Sequence, residues 1–354
     1  MARYKSLDIL RGLAAFCIMV YHFSIWSDIG LVHDAASFLG RIGLYGVSIF
    51  YVLSGLTMFL AYQHRLDSWP SIKVFLIKRI FRIMPLYWLA CLGSMAAITT
   101  TNATTWNIVW NFLGLFGFLN IPSLTVGGWS IGNELVFYAF FPFLLWLLVR
   151  HKTYFYLALG LSILIELCFC FYFLNPQTDM ALQWNTYINP FNQLFFFVVG
   201  IWLGTLEKWI EKFKHNQERL WVILLIICAL FCFFPLNSSQ TTLIAGNVRL
   251  LFSALSIALC FCFFLLNTNR FWSLQKPLSL LGEISYSVYL LHPICFFGLR
   301  LLLGQSNNLS PLAFFTVCIL LSLLLSFVSY EYLEKPLIGL GKKVVLRLKT
   351  KPMN

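Results

Sequence analysis

Long apolar stretches follow one another along almost the whole chain, and they constrain its fold more than any other feature. A helix needs roughly 20 mostly apolar residues to cross a hydrocarbon core of ~30 Å. The stretch 106–118 is too short to cross, and we expect a re-entrant or interfacial helix there. By this measure the sequence predicts an all-α integral membrane protein with about ten transmembrane helices, at residues 7–27, 42–63, 83–100, 129–149, 154–174, 189–206, 219–236, 244–266, 279–303 and 310–330.

The composition indicates a chain that lies mostly in lipid. Of its 354 residues, 60% are hydrophobic and 11% are charged, whereas soluble domains carry about 25% charged residues. All the cysteines fall within apolar stretches and none forms a Cys-x-x-Cys pair, so the sequence predicts neither a disulfide framework nor a metal site. We expect one transmembrane domain over residues 1–335 and a basic cytoplasmic tail over 336–354.

Basic residues are distributed unevenly between the two sides of the predicted topology. An even number of spans places both termini on one side, and nearly all of the 25 Lys and Arg residues fall on that side. An excess of positive charge marks the cytoplasmic side, so both termini are predicted to be cytoplasmic. The net charge of +12 then requires no nucleic-acid partner. The exceptions to the asymmetry are Arg11, Arg41, Arg249 and Arg300.

Ionisable side chains within the predicted spans are the candidates for function, because a charge in the hydrocarbon core is costly. Arg11 and His22 lie about 16 Å apart on one face of the first span. The predicted orientation places His22, Glu134 and His292 in the outer half of the bilayer, at similar depth. Tyr138 follows Glu134 by one helical turn and shares its face.

These residues also have purely structural explanations. Asp8 and Arg11 lie near a helix end, where they can snorkel to the cytoplasmic surface, and a single histidine on an apolar helix is more often part of a packed core. Glu166 has no evident partner in the sequence, and we expect it to be packed or protonated. The convergence of two histidines and a glutamate at one depth favours a functional site over these explanations.

A second cluster, with Arg79 and Arg82 three residues apart, precedes the third predicted span. Two guanidinium groups at this spacing project together from a helix and suit a phosphate. The alternative is ordinary positive-inside charge in contact with lipid headgroups. Pro85 would make the start of the third span rigid, and this favours a phosphate-bearing ligand.

Six segments, in this order and over nearly the whole chain, resemble the membrane acyltransferase-3 family of bacterial O-acyltransferases: SLDILRGLAAFCIMVYH, GVSIFYVLSGLTMF, KRIFRIMPLYW, GGWSIGNELVFYAFFP, LGEISYSVYLLHP and YEYLEKP. The resemblance implies a ten-helix fold in the bacterial cytoplasmic (inner) membrane. It also implies an acyl-CoA donor, most often acetyl-CoA, on the cytoplasmic side. The acceptor would be a hydroxyl of a cell-surface carbohydrate such as lipopolysaccharide O-antigen, capsule or exopolysaccharide.

The resemblance also assigns roles by motif position. The arginine and histidine of the family's first helix fall on Arg11 and His22, and its RxxR motif, which would bind the phosphates of the donor, falls on Arg79 and Arg82. Further motif positions fall on Trp129, Glu134, Ser285, Tyr286, Tyr289 and His292.

A mechanism follows from these assignments. His22 would act as general base toward the sugar hydroxyl, and Glu134 would hold its imidazole in one tautomer. Asp8 and Arg11 would line, together with His22, a polar tunnel from the donor side to the acceptor side. Direct transfer is favoured, while a covalent acyl-His or acyl-Ser route stays open. Hydrogen bonds to the developing oxyanion would come from Tyr138, Tyr289 or His292.

Two further points bear on this interpretation. Some members of the family carry a C-terminal esterase-like domain outside the membrane, and this chain ends about twenty-four residues after its last predicted span. Handling of the acceptor would then depend on the membrane part or on another protein, with membrane lipids as the remaining partner. The alternative function is a transporter or flippase of a glycan or small solute, with the histidines and Glu134 as a proton relay. Transporters commonly have two similar halves, and the sequence has no evident repeat of that kind.

Overall fold

The computed structural model describes residues 4–98, 104–207, 210, 216–236, 238–266, 272–304 and 309–350. Within these residues the regular structure is helical, as predicted. Single π-helical turns lie at Phe169–Phe173 and Tyr330–Glu334, and a 3₁₀ turn lies at Gln240–Ile244. In chain order the α-helices are α1 (Lys5–Trp26), α2 (Phe38–Tyr62), α3 (Trp69–Ala97), α4 (Thr105–Leu113), α5 (Gly128–Arg150), α6 (Lys152–Cys168), α7 (Met180–Tyr187), α8 (Pro190–Thr205), α9 (Gln217–Phe233), α10 (Gly246–Leu265), α11 (Trp272–Glu283), α12 (Ser285–Leu303), α13 (Pro311–Ser329) and α14 (Lys335–Thr350).

Eight helical segments in the described part of the chain are long and apolar enough to cross a membrane. The pair α7 and α8, bent by 51°, brings the number to 9 if it forms one broken span. Helix α9 coincides with the predicted span 219–236 but has 17 residues, or about 26 Å, which is less than a ~30 Å hydrocarbon core. The chain is therefore a multi-pass membrane protein, while the count of ten and the cytoplasmic location of both termini stay predictions.

The predicted orientation depends in part on basic residues that lie outside the described part of the chain. Six of them do so: Arg3, Lys208, Lys212, Lys214, Arg270 and Lys351.

Three segments differ from their predicted bounds. Helix α3 begins at Trp69, well before the predicted start at residue 83, because Ser68 and Ser71 form a capping box around its first turn. The predicted span 279–303 is divided at Ile284 into α11 and α12. The predicted tail forms helix α14 as far as Thr350, and this helix packs against α3. The short helix predicted at 106–118 is confirmed as the nine-residue α4.

The chain divides into two compact units. Unit 1 comprises residues 1–62 and 151–285, and unit 2 comprises residues 63–150 and 286–354. In unit 1, α1 packs closely against α11 where Gly12 meets Gly282. A methyl group on Gly282 would overlap the backbone of Asp8, so this close approach requires glycine and fixes the start of α1.

Unit 1 also contains a buried ion pair that the sequence does not reveal. The guanidinium of Arg249 donates from Nε to Glu166 at 2.9 Å and from Nη2 to the second carboxylate oxygen at 2.5 Å. The two side chains are 4% and 2% exposed. Glu166 is thus paired, which corrects the expectation of a carboxylate without a partner; the two residues are 83 positions apart in the chain, so no spacing rule connects them.

In unit 2, the segment that follows α4 folds back onto α3 through the buried side chain of Asn111. Its amide oxygen accepts hydrogen bonds from the Tyr87 hydroxyl at 2.6 Å and from the Leu124 N–H at 3.1 Å. Its amide nitrogen donates to the carbonyl of Pro122 at 3.0 Å. Polar atoms of this short helix therefore point into the protein, and its loop is held beside the first turn of α5.

Candidate active site

The candidate residues are divided between the two units. Asp8, Arg11, His22 and Ser285 belong to unit 1, and the other candidates belong to unit 2. The pairing of His22 with Glu134 therefore stays a prediction, whereas the arrangement within each unit follows from the structure. The candidates of unit 2 are Arg79, Arg82, Trp129, Glu134, Tyr138, Tyr286, Tyr289 and His292.

Helix α1 carries a charged pair near its first residue. Nη1 of Arg11 lies 3.6 Å from the Asp8 carboxylate, and Nη2 donates to the hydroxyl of Thr57 at 3.4 Å. That hydroxyl in turn donates to the carbonyl of Leu53 at 2.7 Å. The Arg11 and Asp8 side chains are 22% and 14% exposed, so the pair is partly accessible and is held in place by α2.

His22 lies near the other end of α1, where several contacts hold the helix. Its imidazole stacks on the indole of Trp26, with centroids 5.1 Å apart and planes 12° apart. The ring of Tyr21 lies 5.2 Å from that of His22, and the Tyr21 hydroxyl accepts a hydrogen bond from Gln240 at 2.8 Å. Ser24 Oγ lies 2.7 Å from His33 Nε2. These contacts fix the rotation of the helix end, while His22 itself stays half-buried.

Ser285 is the fourth candidate of unit 1. It is 3% exposed, and its hydroxyl donates to the carbonyl of Gly282 at 2.8 Å. This bond spans the break between α11 and α12, so Ser285 stabilises the break.

Arg79, Tyr138 and Glu134 come together in unit 2. The guanidinium carbon of Arg79 lies 5.6 Å from the ring centroid of Tyr138 and 5.7 Å from that of Phe75. The Tyr138 hydroxyl donates to Glu134 Oε1. One tyrosine therefore contacts the arginine with its ring and the carboxylate with its hydroxyl.

The sequence predicts different depths for Arg79, on the cytoplasmic side, and Glu134, in the outer half of the bilayer. Within unit 2 both residues contact Tyr138, and the ring of Phe75 on α3 packs 5.6 Å from that of Phe141 on α5. The two depths themselves stay predictions.

Arg82 has a different environment from Arg79. It is exposed, and it interacts electrostatically with Tyr286 and Glu334. Tyr286 donates from its hydroxyl to the carbonyl of Ile83 at 2.8 Å. Glu334 is 6% exposed and accepts a hydrogen bond from the hydroxyl of Ser287. Sequence reasoning did not single out Glu334 or Ser287, although both lie in segments that carry the family resemblance.

Tyr289 and His292 lie beside the start of α5. The hydroxyls of Tyr289 and Ser130 are 2.8 Å apart, and Tyr289 also donates to the carbonyl of Gly127 at 3.1 Å. Gly127 has φ +75, and a methyl group there would lie 2.9 Å from the Tyr289 hydroxyl, so this position requires glycine. The ring of His292 is 6.2 Å from that of Tyr289. The half-buried Trp129 belongs to the same first turn of α5.

His292 is nearly completely buried, at 1% exposed, and its Nδ1 lies 3.0 Å from the carbonyl of Val288. Nδ1 therefore carries a proton, and in the neutral ring Nε2 is an acceptor. His292 lies about 10 Å along α12, not the ~20 Å that a helix start at residue 279 would predict. Among the described residues, no group of three or more His, Cys, Asp or Glu side chains could hold a metal ion.

Comparison with known proteins gives one family and several distant relatives. The model of the family described as "Acyltransferase domain" matches residues 4–331. The "Putative peptidoglycan O-acetyltransferase YrhL" of Bacillus subtilis is 21% identical over 94% of this chain and 54% of its own length. The "Peptidoglycan O-acetyltransferase OatA" of Listeria monocytogenes is 22% identical over 81% of this chain and 48% of its own length.

A third relative, the "Putative membrane-bound transacylase BcsY" of Komagataeibacter xylinus, is 26% identical over 82% of this chain and 72% of its own length. The chain thus spans about half the length of the two peptidoglycan O-acetyltransferases. No solved structure matches it.

Proposed function

Because the chain belongs to the acyltransferase family whose model matches residues 4–331, we propose that it transfers an acyl group from acyl-CoA to a hydroxyl of a cell-surface carbohydrate. We expect this acyl group to be acetyl. The observation that carries this proposal is His22 at the end of α1, half-buried and stacked on Trp26. The stacking orders the imidazole, and His22 as a residue is partly exposed.

The proposed reaction is direct transfer. His22 removes the proton of the sugar hydroxyl while that oxygen forms a bond to the thioester carbon of the donor. The carbon–sulfur bond then breaks, and the proton passes to the thiolate, so the products are a sugar ester and free CoA. A sugar hydroxyl is a weak nucleophile at neutral pH, and a positioned base contributes typically 10²–10⁴-fold to the rate.

Further residues would assist His22. Glu134 would stabilise the imidazolium of His22 as the carboxylate of a triad does, and its bond with Tyr138 keeps the carboxylate in one orientation. The partly exposed pair of Asp8 and Arg11 supplies the polar wall of the proposed tunnel. Oxyanion stabilisation would come from Tyr138, Tyr289 or His292. In the structure their protons go to Glu134, to the carbonyl of Gly127 and to the carbonyl of Val288, so substrate binding would have to release one of these donors.

The names of the relatives suggest the class of acceptor. Two of them are named as peptidoglycan O-acetyltransferases, and we extend to this chain an acceptor among the surface glycans, which include peptidoglycan, lipopolysaccharide O-antigen, capsule and exopolysaccharide. The donor would be cytoplasmic acetyl-CoA, held through its phosphates by the RxxR cluster, and the enzyme would lie in the bacterial cytoplasmic membrane.

Replacement of His22 tests the proposal. We expect His22→Ala and His22→Gln to lose acetyl transfer by about 10²-fold or more, because glutamine retains a hydrogen bond but cannot accept the proton. The measurement is acetyl ester on surface glycan, with labelled acetyl-CoA as donor, at matched amounts of folded protein. His33→Gln is the matched control, and it should retain activity.

Two outcomes would contradict the proposal. Near wild-type transfer by His22→Gln would exclude the general-base role. Movement of a glycan or solute across vesicles by a wild-type protein that transfers no acetyl group would favour the transporter instead.

A further inference from the structure

We infer that the two arginines of the RxxR cluster have different functions: Arg79 is a positioning residue for Tyr138 and Glu134, whereas Arg82 is the arginine that binds the phosphates of the acyl donor. This inference rests on the proposed function and deepens it. The spacing alone predicts instead that both arginines bind one anion together.

The first observation is the way in which Arg79 is packed. Its guanidinium lies over two aromatic rings, at 5.7 Å from the Phe75 centroid and 5.6 Å from the Tyr138 centroid. The Phe75 ring also meets the Tyr138 ring edge-on at 6.2 Å, and Phe75 is completely buried. The cation therefore lies against a rigid aromatic wall built by α3 and α5.

The second observation connects this wall to the carboxylate. Tyr138 is 5% exposed and donates from its hydroxyl to Glu134. A cation over a ring is attracted to its face, by about 0.5–2 kcal/mol according to exposure. Arg79 thereby favours the one rotamer of Tyr138 in which the hydroxyl reaches Glu134, and it adds a positive charge beside a carboxylate that must stay ionised to stabilise an imidazolium.

Arg82 differs from Arg79 in its exposure and in its nearest carboxylate. Its side chain is exposed, and Arg79 is half-buried. Its electrostatic neighbours are Tyr286 and the buried Glu334, and Glu334 is held by Ser287. A carboxylate behind an exposed guanidinium orients the cation, and the accessible side of that cation can meet an incoming phosphate in the geometry that arginine favours.

The side-chain chemistry of lysine separates the two functions. Lysine keeps the positive charge at either position but lacks the planar surface that stacks on a ring. We therefore expect Arg79→Lys to lower kcat for acetyl transfer by about ten-fold, with the KM for acetyl-CoA within two-fold of wild type. We expect Arg82→Ala to raise that KM at least ten-fold, and Arg82→Lys to recover much of the loss.

A double-mutant cycle with Tyr138→Phe gives a second measurement. Because Arg79 acts through Tyr138, the combined variant Arg79→Lys with Tyr138→Phe should lose little more activity than the worse single variant. The matched cycle of Arg82→Lys with Tyr138→Phe should be additive. Binding of CoA to purified protein, followed by the shift of Tm that CoA produces, should be retained in Arg79→Lys and lost in Arg82→Ala.

The outcomes distinguish the inference from the proposed function. A wild-type protein that neither binds CoA nor transfers acetyl would overturn both. A wild-type protein that does both, with equal increases in KM and equal loss of CoA binding in the Arg79 and Arg82 variants, would overturn only the inference. Additive effects in the Arg79 cycle would overturn it as well, because they would mean that Arg79 does not act through Tyr138.

Discussion

Each unit of the molecule contains an arginine and a glutamate inside an apolar helical environment, and the two arrangements differ. In unit 1, Glu166 and Arg249 form a direct two-bond ion pair with side chains 2% and 4% exposed. Remaining donors of Arg249 reach the carbonyls of Ile244 and Asn192, each at 3.2 Å. In unit 2, Arg79 and Glu134 are both half-buried, and Tyr138 contacts both of them.

The difference indicates what each pair is for. A buried charge is tolerated when its partner and further hydrogen bonds satisfy it, and the pair of unit 1 meets that condition within the protein. In unit 2, Arg79 lies against aromatic rings, and Glu134 is half-buried. A fully buried pair stabilises the fold, whereas half-buried charges can also reach a substrate or a second catalytic group.

Isosteric replacement of the two glutamates tests this comparison most strongly. Glu166→Gln leaves the charge of Arg249 buried without a counter-charge, and we expect a loss of about 3–5 kcal/mol in the free energy of unfolding. Glu134→Gln retains a hydrogen-bond acceptor for Tyr138, and we expect a loss below about 1 kcal/mol. Thermal unfolding of the purified proteins in detergent measures both.

Acetyl transfer per folded molecule should show the reverse order, with the larger loss in Glu134→Gln and the smaller loss in Glu166→Gln. We expect Glu134→Gln to lower acetyl transfer by about 10²-fold or more, since the carboxylate that stabilises the imidazolium is gone. The control is the double variant Glu166→Met with Arg249→Met, which removes both charges and should recover most of the stability. Equal destabilisation by the two glutamine variants would mean that the pairs do not differ in function.

Trp26 provides a further test in unit 1, where the imidazole of His22 lies next to an aromatic ring, as Arg79 does in unit 2. Trp26→Leu removes the stacked indole from His22, and an imidazolium over an indole is favoured by about 0.5–2 kcal/mol. We therefore expect kcat to fall two- to thirty-fold, with the KM for acetyl-CoA and the Tm unchanged. Trp26→Phe keeps an aromatic face and should recover part of the rate; no difference between the leucine and phenylalanine variants would contradict this role.

The smallest expected effect concerns His33, which lies outside the candidate spans, between α1 and α2. Burial lowers the pKa of His33, although the nearby carboxylates of Asp28 and Asp34 raise it in part. The unfolded chain then binds more protons than the folded protein between that lowered pKa and about 6.5. Stability from this group is present at pH 7.5 and decreases as the pH falls below about 6.5.

His33→Gln checks the sign of this effect. The wild-type Tm should decrease slightly between pH 7.5 and pH 5.5, and the decrease should be smaller in the variant. An identical decrease in both proteins would mean that protonation of His33 has no effect on the end of α1.

Apolar length was enough to predict the helical class, most helix positions and the short α4, because the cost of exposing backbone groups to lipid leaves few alternatives. It could not predict the early start of α3, which depends on the local capping box at Ser68 and Ser71. It also missed the break at Ile284, although Gly282, Glu283 and Ser285 interrupt the apolar pattern there.

The candidate site was predictable in its residue types and less so in its connections. Spacing identified Glu134 with Tyr138, and the structure joins them as expected from an i, i+4 pair. Contacts between distant parts of the chain, such as Glu166 with Arg249, Arg79 with Tyr138 and Ser287 with Glu334, follow from helix packing. No periodicity within one helix encodes such contacts, so the sequence did not predict them.

The π-helical turn at Tyr330–Glu334 makes the length of this segment as important as its residue types. A π turn contains one residue more than an α turn, and loss of one residue would rotate all later side chains by about 100°. Glu334 would turn away from Ser287, and Gly341 would no longer face Phe81 on α3. Deletion of the 79% exposed Tyr332, a side chain that the fold hardly uses, would thus be more damaging than its replacement. Over evolution we expect this segment to accept fewer changes of length than substitutions at Tyr332.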